Sequence, residues 1–194
     1  VTGVRYPGPG IAIKRFELMM ELVPNAKSML IPYQKGAPTV PAQMELLAPA
    51  AKKAGVVLTE APAADARELD EFLQALVRAG KDNFDAILFL AEPLTVLPDA
   101  FAVISSFAEK RRIPIGGAIM THGNYGSVFG VNTDLMASGG QAAFLADKVL
   151  KGANPGTLPV LSAEIFIELN YKIIQELGLN ISEGLLSQAH KIIR

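Results

Sequence analysis

The chain has 194 residues, half of them apolar and 19% charged, which is enough to bury a core and excludes the disordered and acidic-tail classes. A formal net charge of -1 with scattered signs offers no basic stripe for a nucleic-acid partner, and no apolar run approaches the roughly 20 residues of a membrane span. There is no cysteine, which removes thiol nucleophiles, zinc-thiolate sites and disulfides.

Residues 1–10 read as a connection, because Pro7 and Pro9 interrupt regular structure, and no charged segment followed by an apolar one opens the chain as a secretory signal would. Ile13, Phe16, Met19 and Leu22 recur at helical spacing until Val23-Pro24 ends the helix, and Ser28 to Tyr33 reads as a buried strand. A helix over 41–54 starts at Pro41 and closes at Gly55, which suits a left-handed cap, with a strand over 56–60 after it. Asp65 is placed to cap a helix running to Ala79 and closed by Gly80. Phe84 to Leu90 is the next strand, Leu97 to Lys110 the next helix, and Ile113 to Ile115 a further strand. Beyond it, Thr121-His122-Gly123-Asn124-Tyr125-Gly126 reads as an interdomain crossing into a strand over 127–131. A helix over 136–150, a turn at Asn154-Pro155-Gly156, a strand near 158–161 and two closing helices, 169–177 and 182–193, complete the pattern.

Strands separated by helices of this length specify an α/β fold, a doubly wound and mainly parallel sheet with helices on both faces. Ligands of such sheets bind beyond the carboxyl ends of the strands. Four positions there carry candidate chemistry. Tyr33-Gln34 follows the first strand, where a tyrosine can stack on a ligand or simply cover a sheet edge. Glu92-Pro93 follows the third, and a carboxylate at the mouth of a buried strand is either solvated or paired, for instance with a ligand ammonium. Asn132 and Asp134 follow the strand after the crossing, where Asp134 equally suits the N-cap of the next helix. His122 sits in the crossing and His190 on the last helix as an exposed side chain. No nucleophile elbow, phosphate loop or zinc-protease helix occurs, and Gly8-Pro9-Gly10 is no dinucleotide fingerprint because no strand precedes it and the later glycine is missing. Catalytic residues, metal ligands and cofactors are therefore not expected.

Several segments, in order, carry a family resemblance. They are Val1-Thr2-Gly3-Val4, Lys14-Arg15-Phe16-Glu17-Leu18, Leu22-Val23-Pro24-Asn25-Ala26-Lys27, Phe84-Asp85-Ala86-Ile87 and Arg112-Ile113-Pro114-Ile115. The series continues with residues 146–155, Leu158-Pro159-Val160 and Leu177-Gly178-Leu179-Asn180-Ile181. The chain resembles the bacterial ABC-transporter substrate-binding proteins that include tryptophan- and tyrosine-binding members.

The resemblance implies a type I periplasmic-binding fold of flavodoxin-like topology, in which two lobes close on a small solute, such as an amino-acid-like one. It implies an extracytoplasmic, periplasmic location and ABC permease subunits as partners, with a ligand-sensing domain of a signalling protein as the alternative. It also implies a further N-terminal lobe of roughly one hundred residues ahead of Thr2-Gly3-Val4. On that basis residues 1–120 with 157–194 form one lobe, and 121–156 are the crossing and a segment completing the other. The helix over 136–150 then exposes an apolar face unless a second chain, for example in a homodimer, covers it. The family pattern usually has Tyr-Asn where this chain has Tyr33-Gln34, and an aspartate where it has Glu92.

Overall fold

The structure, a computed structural model, describes residues 1–194. In chain order the elements are β1 (Gly3–Arg5), α1 (Gly10–Leu22), β2 (Ser28–Gln34), α2 (Val40–Ala54), β3 (Val57–Ala63), α3 (Ala66–Arg78) and β4 (Ala86–Leu88). A single 3-10 turn (Leu94–Val96) leads into α4 (Pro98–Glu109), β5 (Ile115–Gly117), β6 (Thr121–His122), β7 (Tyr125–Gly126), β8 (Phe129–Thr133) and α5 (Leu135–Leu150). The chain closes with β9 (Val160–Ser162), β10 (Ile165–Asn170), α6 (Tyr171–Leu177), α7 (Glu183–Gln188) and β11 (Lys191–Ile193).

Seven strands form the central sheet in the order β11-β10-β8-β5-β4-β2-β3. The five from β8 to β3 run parallel, and β10 is antiparallel to β8. Alternation along the strands sorts side chains to two faces. Met29 and Ile31 of β2, with Ala86 and Leu88 of β4, pack under α1 and α2. Leu30 and Ile87, one residue out of phase, pack under α3 and α4 with Phe89 and Phe101, whose rings meet edge to face at 6.1 Å. Both faces of the sheet are covered, as parallel strands require.

Local signals explain the helix ends. Gly55 closes α2 with φ 72°, a left-handed conformation that glycine adopts without penalty. Asp65 caps α3 by accepting the Glu68 N–H at 2.8 Å. Asp85, just before β4, accepts the N–H groups of Lys27 (2.8 Å) and Ser28 (2.9 Å) and so ties the starts of β4 and β2 together.

The structure departs from the sequence reading where the pairing is long-range. Residues 3–5 are not a bare connection: β1 pairs in parallel with β9, Gly3 opposite Val160, and Pro7 and Pro9 merely follow it. The strand after the crossing is 129–133, not 127–131, and it lies inside the central sheet between β5 and β10. Of the span 121–156, residues 129–133 therefore pair within the central sheet. Phe129 and Val131 are fully buried in the main core, whereas β1, α5 and β9 form a small separate unit in which Leu145 is the one buried residue of α5. Residues 3–5 thus pair with 160–162 in a two-stranded sheet apart from the central one. Both closing helices are present, as α6 and as an α7 that ends at Gln188, and two strands are added around them. Ile165–Asn170 is a strand with Ile167 and Leu169 facing the core, and Lys191–Ile193 pairs in parallel beside it. His190 is exposed, but it precedes a strand and its Nδ1 accepts the Ile167 N–H at 3.2 Å.

Candidate ligand-binding cleft

From β2 the chain moves outward to β3 at one edge, and from β4 it moves the other way through β5 to β8. The order reverses between β2 and β4, so the loops leaving their carboxyl ends diverge and leave a crevice. A cleft of about 470 Å³ opens there, lined by Thr39 from the loop after β2, Leu90 to Pro93 from the loop after β4, Asn132 from the end of β8, and Tyr6 and Arg15 from below. A larger depression of about 600 Å³ lies between α3 and α4 on the outer helical layer. No strand end reaches it, and its most prominent cation, Arg111, is already paired with Asp82 at 2.8 Å.

Two polar side chains fix the loops of the cleft. Gln43 of α2, only 3% exposed, accepts the Ala91 N–H at 2.8 Å and donates to the carbonyls of Ala91 and Thr39, both at 3.0 Å. Glu92, 8% exposed, accepts the N–H groups of Gln34 (2.7 Å), Leu94 (2.9 Å) and Thr95 (2.9 Å) and the Thr95 hydroxyl (2.6 Å). Four donors on two oxygens saturate the carboxylate and repay its burial locally. The expected ligand counter-charge is a brace between the loops after β2 and β4.

Arg15 is the charge the sequence reading passed over. It is 2% exposed, and its guanidinium donates to Val131 O through Nε (3.1 Å) and Nη2 (2.8 Å), to Phe89 O (3.0 Å) and to Asn132 Oδ1 (3.1 Å). It takes part in no ion pair within 4.0 Å. Burial lowers its pKa to about 10, opposed by the Tyr6 phenol and then by Glu92, so it remains a cation at neutral pH. A signal for it exists in the sequence. Arg15 lies on the apolar stripe formed by Ile11, Ala12, Phe16 and Met19, where a cation is costly unless something satisfies it.

The other sequence candidates divide. Asn132 reaches the cleft and meets Arg15, and Pro93 lines it. Gln34 lines an adjoining depression of about 270 Å³ that shares Thr39 and Pro93 with the cleft, and its backbone serves Glu92. Tyr33 turns to the sheet edge and donates to Glu60 at 2.7 Å; burial first, then that carboxylate, push its phenol up to about 12. Asp134 caps α5, accepting the N–H groups of Met136 (2.8 Å) and Ala137 (2.9 Å). His122 is exposed on β6, paired with the buried β7.

The fold is thus a doubly wound lobe with a polar crevice at its switch point, joined to a small second unit. The comparisons agree: the sequence matches the family described as ABC transporter substrate binding protein over residues 1–193, and the chain belongs to that family. Among solved structures it is similar to an ABC domain in complex with L-Trp from Streptococcus pneumoniae, at 26% identity and a TM-score of 0.73, covering 100% of this chain and 65% of that one. It is similar also to a conserved domain protein from Vibrio cholerae, at 27% identity and a TM-score of 0.75, covering 99% and 62% respectively. The ligand-free, open structure of CD0873, a substrate binding protein with adhesive properties from Clostridium difficile, shares the fold at 20% identity and a TM-score of 0.70, covering 94% and 59%. The chain therefore spans less than two thirds of the length of these proteins. No curated protein matches it. No helix is long and apolar enough to cross a membrane.

Proposed function

We propose that the chain is the larger part of the extracytoplasmic solute-binding component of an ABC importer, which captures a small solute in the crevice and delivers it to a permease. The observation that carries this reading is the position of the cleft. It lies at the switch point between β2 and β4 and is open on the side away from the sheet, as a site completed by a second lobe requires. The L-Trp complex of the Streptococcus pneumoniae relative supports an amino-acid-like solute. Within the site, Thr39, Pro93 and Asn132 face the ligand, Gln34 and Glu92 hold the loops, and Tyr33 and Asp134 are scaffold. The exposed Leu135, Met136, Phe144 and Leu150 of α5 form an apolar face that a second lobe or a second copy would cover.

The test is titration calorimetry of the full natural protein against the twenty amino acids, paired with solution scattering. Saturable binding of one solute with a smaller radius of gyration is the expected result. Saturation without any change in radius removes hinge closure, and binding of none of the panel removes the amino-acid-like solute.

A further inference from the structure

We propose that the cleft receives its ligand through a carboxylate-type anionic group, bound by the amide N–H groups of Asn132, with Arg15 as the positioning residue that aims them. The proposal rests on the reading of the cleft as a solute site and names the chemistry of the group it holds.

A guanidinium has donors and no acceptor. The Asn132 atom facing Arg15 at 3.1 Å must therefore be Oδ1, and the amide cannot flip without placing N–H against N–H. Its NH2 group is forced to the opposite side. There Nδ2 makes no hydrogen bond within the protein and is not among the buried polar atoms lacking a partner, while the residue lines the cleft. Two donors are thus offered to the crevice in a fixed direction. The cation behind them polarises the amide, withdrawing charge through Oδ1 and strengthening the N–H groups as donors.

The charge balance points the same way. Arg15 is solvated by carbonyl dipoles and makes no ion pair. The two groups whose fields reach it are the Tyr6 phenol, neutral at pH 7, and Glu92. The oxygens of Glu92 are engaged by Gln34, Leu94 and Thr95. An incoming carboxylate would meet two oriented donors and an under-compensated cation, whereas an ammonium would find neither a free carboxylate nor a free amide oxygen. The Thr39 hydroxyl donates to Ala91 O at 3.1 Å and leaves only its own lone pairs.

The experiment follows the side-chain amide resonances of Asn132 in ¹⁵N-labelled protein, assigned by their loss in Asn132→Asp. The probes are acetate, benzoate and indole-3-acetate against acetamide, benzamide and indole-3-acetamide, with tryptamine as a cation, at constant ionic strength and neutral pH. The carboxylates are expected to shift these resonances saturably and to bind at least about tenfold more tightly than the matching amides, the discrimination of one charge-assisted hydrogen bond. Asn132→Asp keeps an oxygen toward Arg15, so it folds with an undiminished melting temperature, and it loses carboxylate binding. Equal binding of amides or of tryptamine overturns the anion preference while leaving a solute site in place. Carboxylate binding that survives in Asn132→Asp, read by titration calorimetry because the variant lacks the amide resonances, overturns the role of Asn132, and binding of no probe at tens of millimolar overturns the proposal and the solute-site reading together.

Discussion

The Glu92 carboxylate accepts the Gln34 N–H at 2.7 Å, and that bond stitches together the two loops between which the strand order reverses. Glu92→Gln would keep one acceptor oxygen and turn an NH2 group against backbone N–H donors. The substitution is expected to lower stability by about 2 to 3 kcal/mol, the scale of charge-assisted bonds lost in a buried setting. Urea unfolding measures it. A stability within about 0.5 kcal/mol of the unmodified chain would show that the brace is dispensable.

Asp85 makes stability depend on acid. Burial works to raise its pKa, but the N–H groups of Lys27 and Ser28 and the Ser28 hydroxyl outweigh it and hold the carboxyl below its ordinary value. A depressed folded pKa stabilises above the unfolded pKa of about 3.9, and that contribution disappears as pH falls toward the folded value. Asp85→Asn is therefore expected to be less stable than the parent at pH 6, with the gap narrowing below about pH 4. Parallel denaturant curves from pH 6 downward check this, and a constant gap contradicts it.

Gly117 occupies φ 126°, and a Cβ there would lie 2.7 Å from Phe89 O and 2.8 Å from Phe89 Cβ. Gly117→Ala adds backbone strain to overlap and is expected to cost more than about 2 kcal/mol. Phe89 O also accepts from Arg15, so the substitution disturbs the cleft floor as well. A melting temperature unchanged from the parent would refute the tight approach.

Tyr33→Phe is expected to change stability at neutral pH by less than about 1 kcal/mol and ligand affinity not at all, because the hydroxyl serves Glu60 at the sheet edge. The raised phenol pKa stabilises fully below the unfolded value of about 10 and is lost as pH rises through about 12. An ultraviolet titration of the variant should lack the step near 12. Weakened solute binding would return Tyr33 to the site.

The three-layer architecture was legible because its signals are local. Met29, Leu30 and Ile31 alternate between two cores, and Gly55 and Asp65 mark their helix ends by chemistry a few residues wide. Pairings of distant segments were not. Nothing near Gly3 announces Val160, and nothing in Ile165 to Asn170 announces its antiparallel partner β8. At the site, the sequence shows that a buried Glu92 needs partners, but not that four lie within three residues of it or on Gln34. Arg15 was missed because a helical stripe is read for its apolar members, and its acceptors come from segments 74 and 116 residues away.

The chain passes between the large lobe and the β1–α5–β9 unit three times, after Arg5, at Asp134 and before Ile165. These strips are laced side by side: the Ala163 N–H donates to Arg5 O at 2.9 Å, and the Asp134 N–H donates to Glu164 O at 3.1 Å. One ribbon would permit twisting in any sense and two would still permit shear, but three cross-linked ribbons act as a flexure, compliant in one bending direction and stiff against sliding. Tyr6, beside the first strip, lines the same cleft as Arg15, so the connection between the units is also part of the cleft's lining.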